Sequence, residues 1–221
     1  MSKVGFISLT IFLLVILAAV TFMDRPLIIG LFMVDSHITT SPNLLVILEG
    51  GGLLHSPTRE RMNKLIEIYK REPTKILVCS YPKYKDELLT ALYLNGVRPS
   101  DIVKNKYVYD KRGGTYNNVS EIMDTLKKNK KFKVIDIITS PYHEKRVQLI
   151  FLKLFHEYEI NKLVQISFSH IEYSDVYYTN NERYFDLIGH EILGIAWFEI
   201  QMLQVKIEGL KESVYARLYN Q

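Results

Sequence analysis

The chain has 221 residues, 48% of them hydrophobic, with 28 Lys and Arg against 24 Asp and Glu and a formal net charge of +4. That length leaves room for one domain with a sizeable core once any membrane segment is set aside. The mild basicity argues against a nucleic-acid partner: the run Lys127, Lys128, Lys130, Lys131 and Lys133 lacks aromatic interleaving and a repeated basic stripe, and reads as a solvated helix end and turn.

In chain order, the first feature is Val4 to Met23, twenty residues without a charge. At about 1.5 Å per residue this matches the ~30 Å of a bilayer core. We read 1–34 as a transmembrane signal anchor and juxtamembrane segment, with a cleaved signal peptide as the rival. The stretch is longer than a usual signal core, and no clean A-x-A site follows it. Lys3 on one flank, against the cancelling Asp24 and Arg25 on the other, places the N-terminus inside and the globular part outside the cytoplasm. The expected localisation is therefore single-pass in the inner or plasma membrane, with residues 35–221 extracytoplasmic and the bilayer itself a partner.

From Asn43 onward, short β-branched runs alternate with helical periods, which predicts a Rossmann-like three-layer α/β sandwich with a mostly parallel sheet of about five strands. The strands are placed at 44–48, 75–79, 105–109, 133–139 and 162–168. Helices are placed at 57–71, 84–94, 115–128 and 141–158, each from an apolar stripe or a cap. Met62, Leu65, Ile66 and Tyr69, for example, recur at i, i+3, i+4 and i+7. Gly96 suits a left-handed helix end. The lone Cys79, inside the apolar "ILVC", excludes an intrachain disulfide and reads as a buried strand thiol. Polar, tyrosine-rich 173–184 reads as a long loop over a site, and 182–218 as a C-terminal helical extension.

Ligands of an open parallel sheet bind beyond the carboxyl ends of its strands. After the first strand comes "EGGG", whose Gly50, Gly51 and Gly52 let backbone N–H groups approach an anion; a permissive turn is the plainer explanation. Arg59 and Arg61 follow at the start of a helix, where a cation opposes the dipole unless an anion is near. In "KRGGTYNNVSE", Thr115 suits a helix cap, and Arg112, Thr115 and Asn118 are candidates to converge on an acceptor-rich ligand. In "ITSPYHEKRV", Ser140 and Pro141 are an N-cap and a first helical residue. His143 and Arg146 share one helical face, and the helix dipole favours a neutral imidazole able to transfer a proton.

Taken together, "VILEGGG", Arg61 within "RERMNKLIEIYK", "KILVCS", "YLNGVRPSDIV", "TYNN", "ITSPYHEKR" and "GHEILGIAWFEI" resemble, in this order, the domain-of-unknown-function-218 family, the YdcF-, SanA- and ElyC-like envelope proteins. The resemblance covers about residues 43 to 200. It implies a Rossmann-like fold, frequent membrane anchoring and a role in cell-wall or surface-glycan processes, and gives Glu191 as the acidic residue of the closing helix. This chain departs from the family pattern in four places. Asn117 stands where the family has glutamate, Ser80 to Pro82 replaces S-G-G, Arg112 and Gly114 replace the serine and asparagine before the threonine, and Glu49 precedes the glycines. Glu49, Asp86, Glu87 and Glu191 are the carboxylates that would stand in for the missing one.

Three functions follow. The first is a transferase or hydrolase acting on a phosphorylated or lipid-linked glycan or cell-wall precursor, with His143 and Glu191 catalytic and Gly50, Gly51, Gly52, Arg61, Arg112, Thr115, Asn118, Ser140 and Arg146 binding the ligand. The second is a non-catalytic regulator of envelope biogenesis that binds an anionic small molecule and contacts envelope enzymes as partners. The third is a nucleotide-cofactor enzyme, should the domain be cytoplasmic. The sequence specifies no cofactor. The six histidines lack H-x-x-x-H and H-E-x-x-H spacing, so no histidine metal site is expected, while a carboxylate-held ion stays open.

Overall fold

In the computed structural model, residues 41–54, 56–109, 113–158, 160, 164–170, 188–197 and 199–200 are described. The apolar stretch 4–23, the segment 27–34, Arg112 and the expected loop 173–184 lie outside the described residues. No helix among the described residues is long and apolar enough to cross a membrane.

The strands are β1 (Leu44–Leu48), fully apolar, β2 (Lys75–Cys79) and β3 (Val134–Thr139), mostly apolar, and β4 (Gln165–His170), which alternates polar and apolar residues. All pairings are parallel, in the order β2-β1-β3-β4. Both faces must therefore be covered, and they are. Helices α1 (Ser56–Arg71) and α2 (Pro82–Leu94) pack on Leu45, Ile47, Ile76, Val78 and Ile138. Helices α3 (Gly114–Lys128) and α4 (Pro141–Glu157) pack on Leu44, Val46, Leu48, Leu77, Ile135 and Ile137. The result is the α/β/α layering of a Rossmann-like fold. Described residues 188–197 and 199–200 form a further helical segment, α5, within the expected C-terminal extension.

The expected strand at 105–109 is not formed. The chain touches the sheet edge three residues earlier, through one parallel bridge from Ile102 to Ile76 and the Val103 N–H to Ile76 carbonyl bond of 2.8 Å. It then leaves, because "KNKYVY" offers the sheet no apolar face. Asn105 bonds Lys85 and Glu121, and the Tyr107 hydroxyl accepts from Asn117. The sheet thus has four strands among the described residues, not five. β4 also runs two residues past its predicted end. The hydroxyls of Ser167 and Ser169 each donate at 2.7 Å to the buried Asp136 carboxylate on β3, which ties the polar face of "QISFSH" into the ladder. Gly96, with φ of +88°, follows the C-cap of α2 as expected. The Val97 N–H to Leu92 carbonyl and Gly96 N–H to Tyr93 carbonyl bonds close the turn.

The consequence for function lies between β1 and β3. The chain runs from β1 outward to β2 on one side, while β3 lies on the other side, so the two connections diverge and open a crevice at the strand carboxyl ends.

Candidate active site

That crevice is a cleft of about 700 Å³, lined by the connections after β1, β2 and β3, the start of α3 and part of α5. His143 lies in the first turn of α4, started by Ser140 and Pro141. It is only 7% exposed, and its Nδ1 lies 3.1 Å from both carboxylate oxygens of Glu191 on α5. The Arg146 Nη2 donates to Glu191 Oε1 at 2.9 Å and also lies beside the His143 ring. Its other side packs on Gly194, where any side chain would meet the guanidinium. The sequence "GHEILG" thus supplies an acid and, one turn later, the space for its cationic partner.

Burial pushes the His143 pKa down to about 4; Glu191 opposes this, while the positive charges of Arg146 and Arg61 add to it. Burial works against an ionised Glu191, yet His143 and Arg146 together hold its carboxyl below the ordinary range. Near neutral pH the trio is therefore carboxylate, guanidinium and neutral imidazole. An ionised carboxylate only accepts and a guanidinium only donates, so Nδ1 meets both a taker for its proton, in the two Glu191 oxygens at 3.1 Å, and donors to its lone pair, in Arg146 Nη2 and Nε at 2.9 and 3.3 Å; the two carboxylate oxygens favour the proton on Nδ1. The lone pair of Nε2 then faces Thr115 Oγ1, 3.3 Å away. A hydroxyl, a correctly oriented base and a buried acid stand in line on the cleft wall.

Thr115 is free for this contact because it is not the helix cap that the sequence suggests. Gly113, with φ of +73°, is the N-cap of α3, which leaves Thr115 inside the first turn with its hydroxyl toward His143.

The glycine turn departs from expectation. The N–H groups of Gly51 and Gly52 donate to Glu49 Oε1, the latter at 3.0 Å, and the Tyr81 N–H reaches Glu49 Oε2 at 3.3 Å. The Gly50 N–H donates to Thr58 Oγ1 at 3.0 Å. The expected phosphate cradle is already filled by Glu49, so Gly50, Gly51 and Gly52 do not offer their N–H groups to a ligand. Gly52 is still required: φ is +77°, and a Cβ would stand 2.8 Å from the Tyr84 ring.

Arg61 and Ser140 are likewise engaged with each other. Arg61 Nε and Nη2 donate to Ser140 Oγ at 3.0 and 2.7 Å, and Nη1 donates to the Leu48 carbonyl at 2.7 Å. Ser140 is thus a brace between the ends of β1 and β3 rather than a direct ligand group, and its hydroxyl does not cap α4. Arg61 is 4% exposed, and among the described residues its hydrogen bonds go to a hydroxyl and a carbonyl but to no carboxylate. Arg61 lines the cleft, and its positive charge is felt by the neighbouring Glu60 carboxyl without a hydrogen bond to it among the described residues. A buried cation with neutral partners is costly unless an anion arrives beside it.

Asn118 lines the cleft, whereas Asn117 donates to the Tyr107 hydroxyl at 2.9 Å and is not part of the lining. Arg59, Asp86 and Glu87 are exposed and lie outside the lining. Sequence reading missed Tyr81, Lys83, Tyr84, Tyr142 and His190 in the lining. The strand-end rule that selected its neighbours would have found Tyr81. It also missed Glu121, which is buried two turns into α3, bonded by Asn105 at 2.8 Å and raised by burial to about 7 against the pull of Lys85, Cys79 and Asn105.

No family model matches the chain, and neither a curated protein nor a solved structure is found to be similar to it.

Proposed function

We propose that this protein is a membrane-anchored envelope enzyme of the domain-of-unknown-function-218 type that acts on a phosphate ester, such as a phosphorylated or lipid-linked glycan precursor. The observation that carries the reading is the Glu191–His143–Thr115 line opening into the same cleft as the buried Arg61, which makes no hydrogen bond to a carboxylate among the described residues. Arg61 and Arg146 supply the field for a dianionic group. His143, neutral and oriented by Glu191, moves a proton at the reacting centre. Asn118, on the same wall, supplies a polar contact to the ligand. The charge-free Val4 to Met23 supports an anchor that keeps the cleft near a lipid-borne substrate.

Titration of the full chain with inorganic phosphate, followed by calorimetry and by the imidazole signals of His143, tests the site. Saturable binding that shifts those signals is expected, and its absence overturns the anion reading. In cells, His143→Ala and Arg146→Ala should fail to complement a deletion while remaining folded and membrane-inserted. Full complementation by both defeats the catalytic reading. A reporter fused after Gln221 that is active only in the cytoplasm would reverse the topology.

A non-catalytic regulator is the second reading, favoured by the carboxylate of Glu49 in the glycine turn and by Asn117 in place of the family glutamate. It requires phosphate binding without turnover of any ester.

A further inference from the structure

We infer that Thr115 is the nucleophile of a two-step phosphoryl transfer through a covalent threonyl phosphate; this rests on the reading of the cleft as a phosphate-ester site. Three observations converge on that side chain. Its Oγ1 is 3.3 Å from His143 Nε2, the ring nitrogen left with a lone pair once Glu191 holds Nδ1. The capping role that would occupy the hydroxyl is taken by Gly113. The other hydroxyl at the start of α4, Ser140 Oγ, already accepts two hydrogen bonds from Arg61, which leaves Thr115 as the hydroxyl on the base among the described residues. Thr115 also stands in the first turn of α3, at the positive end of the helix dipole, although the Gly114 N–H there already donates to the Tyr81 hydroxyl at 3.3 Å.

In the first step the Oγ1 electron pair of Thr115 forms the Oγ1–P bond and the bond from phosphorus to the ester oxygen breaks. The departing pair stays on that oxygen. The Thr115 proton passes to His143 Nε2, and the ester oxygen, which departs in line on the far side of phosphorus, takes its proton from solvent water to give the free alcohol. Glu191 and its hydrogen bond stabilise the imidazolium that exists between the two steps. In the second step water attacks phosphorus from the far side and gives its proton back to solvent, the Oγ1–P bond breaks, and Thr115 recovers from His143 Nε2 the proton it gave up in the first step as inorganic phosphate leaves. An alcohol in place of water makes the same chemistry a transferase.

Heavy-oxygen-labelled inorganic phosphate tests this without knowledge of the natural ester. Reversal of the second step joins phosphate to Thr115 and expels one of its oxygens as water, so the full native chain should wash the label out into solvent. Thr115→Ala, checked for an unchanged melting transition, should slow that exchange by about 10³-fold or more, and Thr115→Ser should retain it. Native chain that binds phosphate without exchanging it, or Thr115→Ala that exchanges at the native rate, overturns the covalent step and leaves the anion site standing. Native chain that does not bind phosphate overturns both the step and the reading beneath it.

Discussion

Glu191 meets the Nδ1 of His143 at 3.1 Å across 48 residues of chain, and it does so from a helix whose only other charged contact at that carboxylate among the described residues is Arg146. The pairing favours the proton on Nδ1, against the Arg146 donors that reach the same nitrogen. Everything the imidazole can do on the cleft side follows from it.

Glu191→Gln keeps the shape but offers an amide that can donate to Nδ1, so the tautomer preference is lost. Turnover or phosphate exchange should fall by about 10²- to 10⁴-fold with the melting temperature little changed. Nitrogen chemical shifts of the His143 ring, measured in native and variant chains, check the tautomer directly; an unchanged ring population with unchanged rate refutes the assignment.

Acid sensitivity follows from the same ring. The folded-state pKa of His143 is lowered from 6.5 to about 4, so between those values the unfolded chain binds the extra proton and the folded chain does not. Stability from this group is therefore complete above about pH 6.5 and is lost progressively as pH falls toward 4. Activity should hold its basic-form plateau down to about pH 5, and His143→Gln should flatten the acid side of the stability profile. A rate that falls with a midpoint near 6.5 would show a solvated histidine instead.

Glu121 gives the opposite sign. Its carboxyl is raised from 4.5 to about 7, so the folded state holds a proton that the unfolded state has released between those values. Stability from this group is present below pH 4.5 and declines as pH rises through 7. Glu121→Gln retains an acceptor for Asn105 and removes the buried charge, which should stabilise the protein at pH 8 by roughly 1–3 kcal/mol and leave pH 4 unaffected. Thermal unfolding at the two pH values is the measurement.

Glu49 fills the glycine turn with a carboxylate on the wall of the cleft proposed to take phosphate. Glu49→Gln keeps an oxygen for the N–H groups of Gly51 and Gly52 and deletes the charge. Inorganic phosphate should then bind about tenfold more tightly, equivalent to ~1.4 kcal/mol. Weaker binding would mean that the carboxylate organises the site more than it repels the ligand.

Gly194→Ala places a methyl group where the Arg146 guanidinium lies. Arg146 is pinned to Glu191, so the guanidinium must give up that bond or α5 must move. Phosphate binding should weaken by about tenfold, with a loss of no more than about 1–2 kcal/mol in unfolding free energy. Native affinity in this variant would show that Arg146 has no role at the ligand.

Much of the architecture was legible from local pattern. β1 and β2 coincide with their apolar runs, and the stripes beginning at Met62 and Val119 mark the buried faces of α1 and α3. Such periodicity is dictated by burial, which acts on each residue independently of its distant partners. That 105–109 stays out of the sheet was not legible, because whether a mixed tyrosine and lysine segment joins an edge depends on what else its polar groups can bond. Here those partners are Lys85, Glu121 and Asn117 from other parts of the chain.

The site divides along the same line. Sequence by itself determined that His143 and Arg146 share a helix face, that Arg61 lies in the helix after β1, and that both connections leave strand ends facing one crevice, because turn chemistry and helical spacing are local. Only the tertiary structure decided the roles. It gave the Gly51 and Gly52 N–H groups to Glu49, tied Arg61 to Ser140 and the Leu48 carbonyl, and set Thr115 and Glu191 on opposite nitrogens of one ring. Hydrogen bonds and charge pairing are satisfied between neighbours in space, and a buried donor takes whichever acceptor the packed fold brings within about 3 Å.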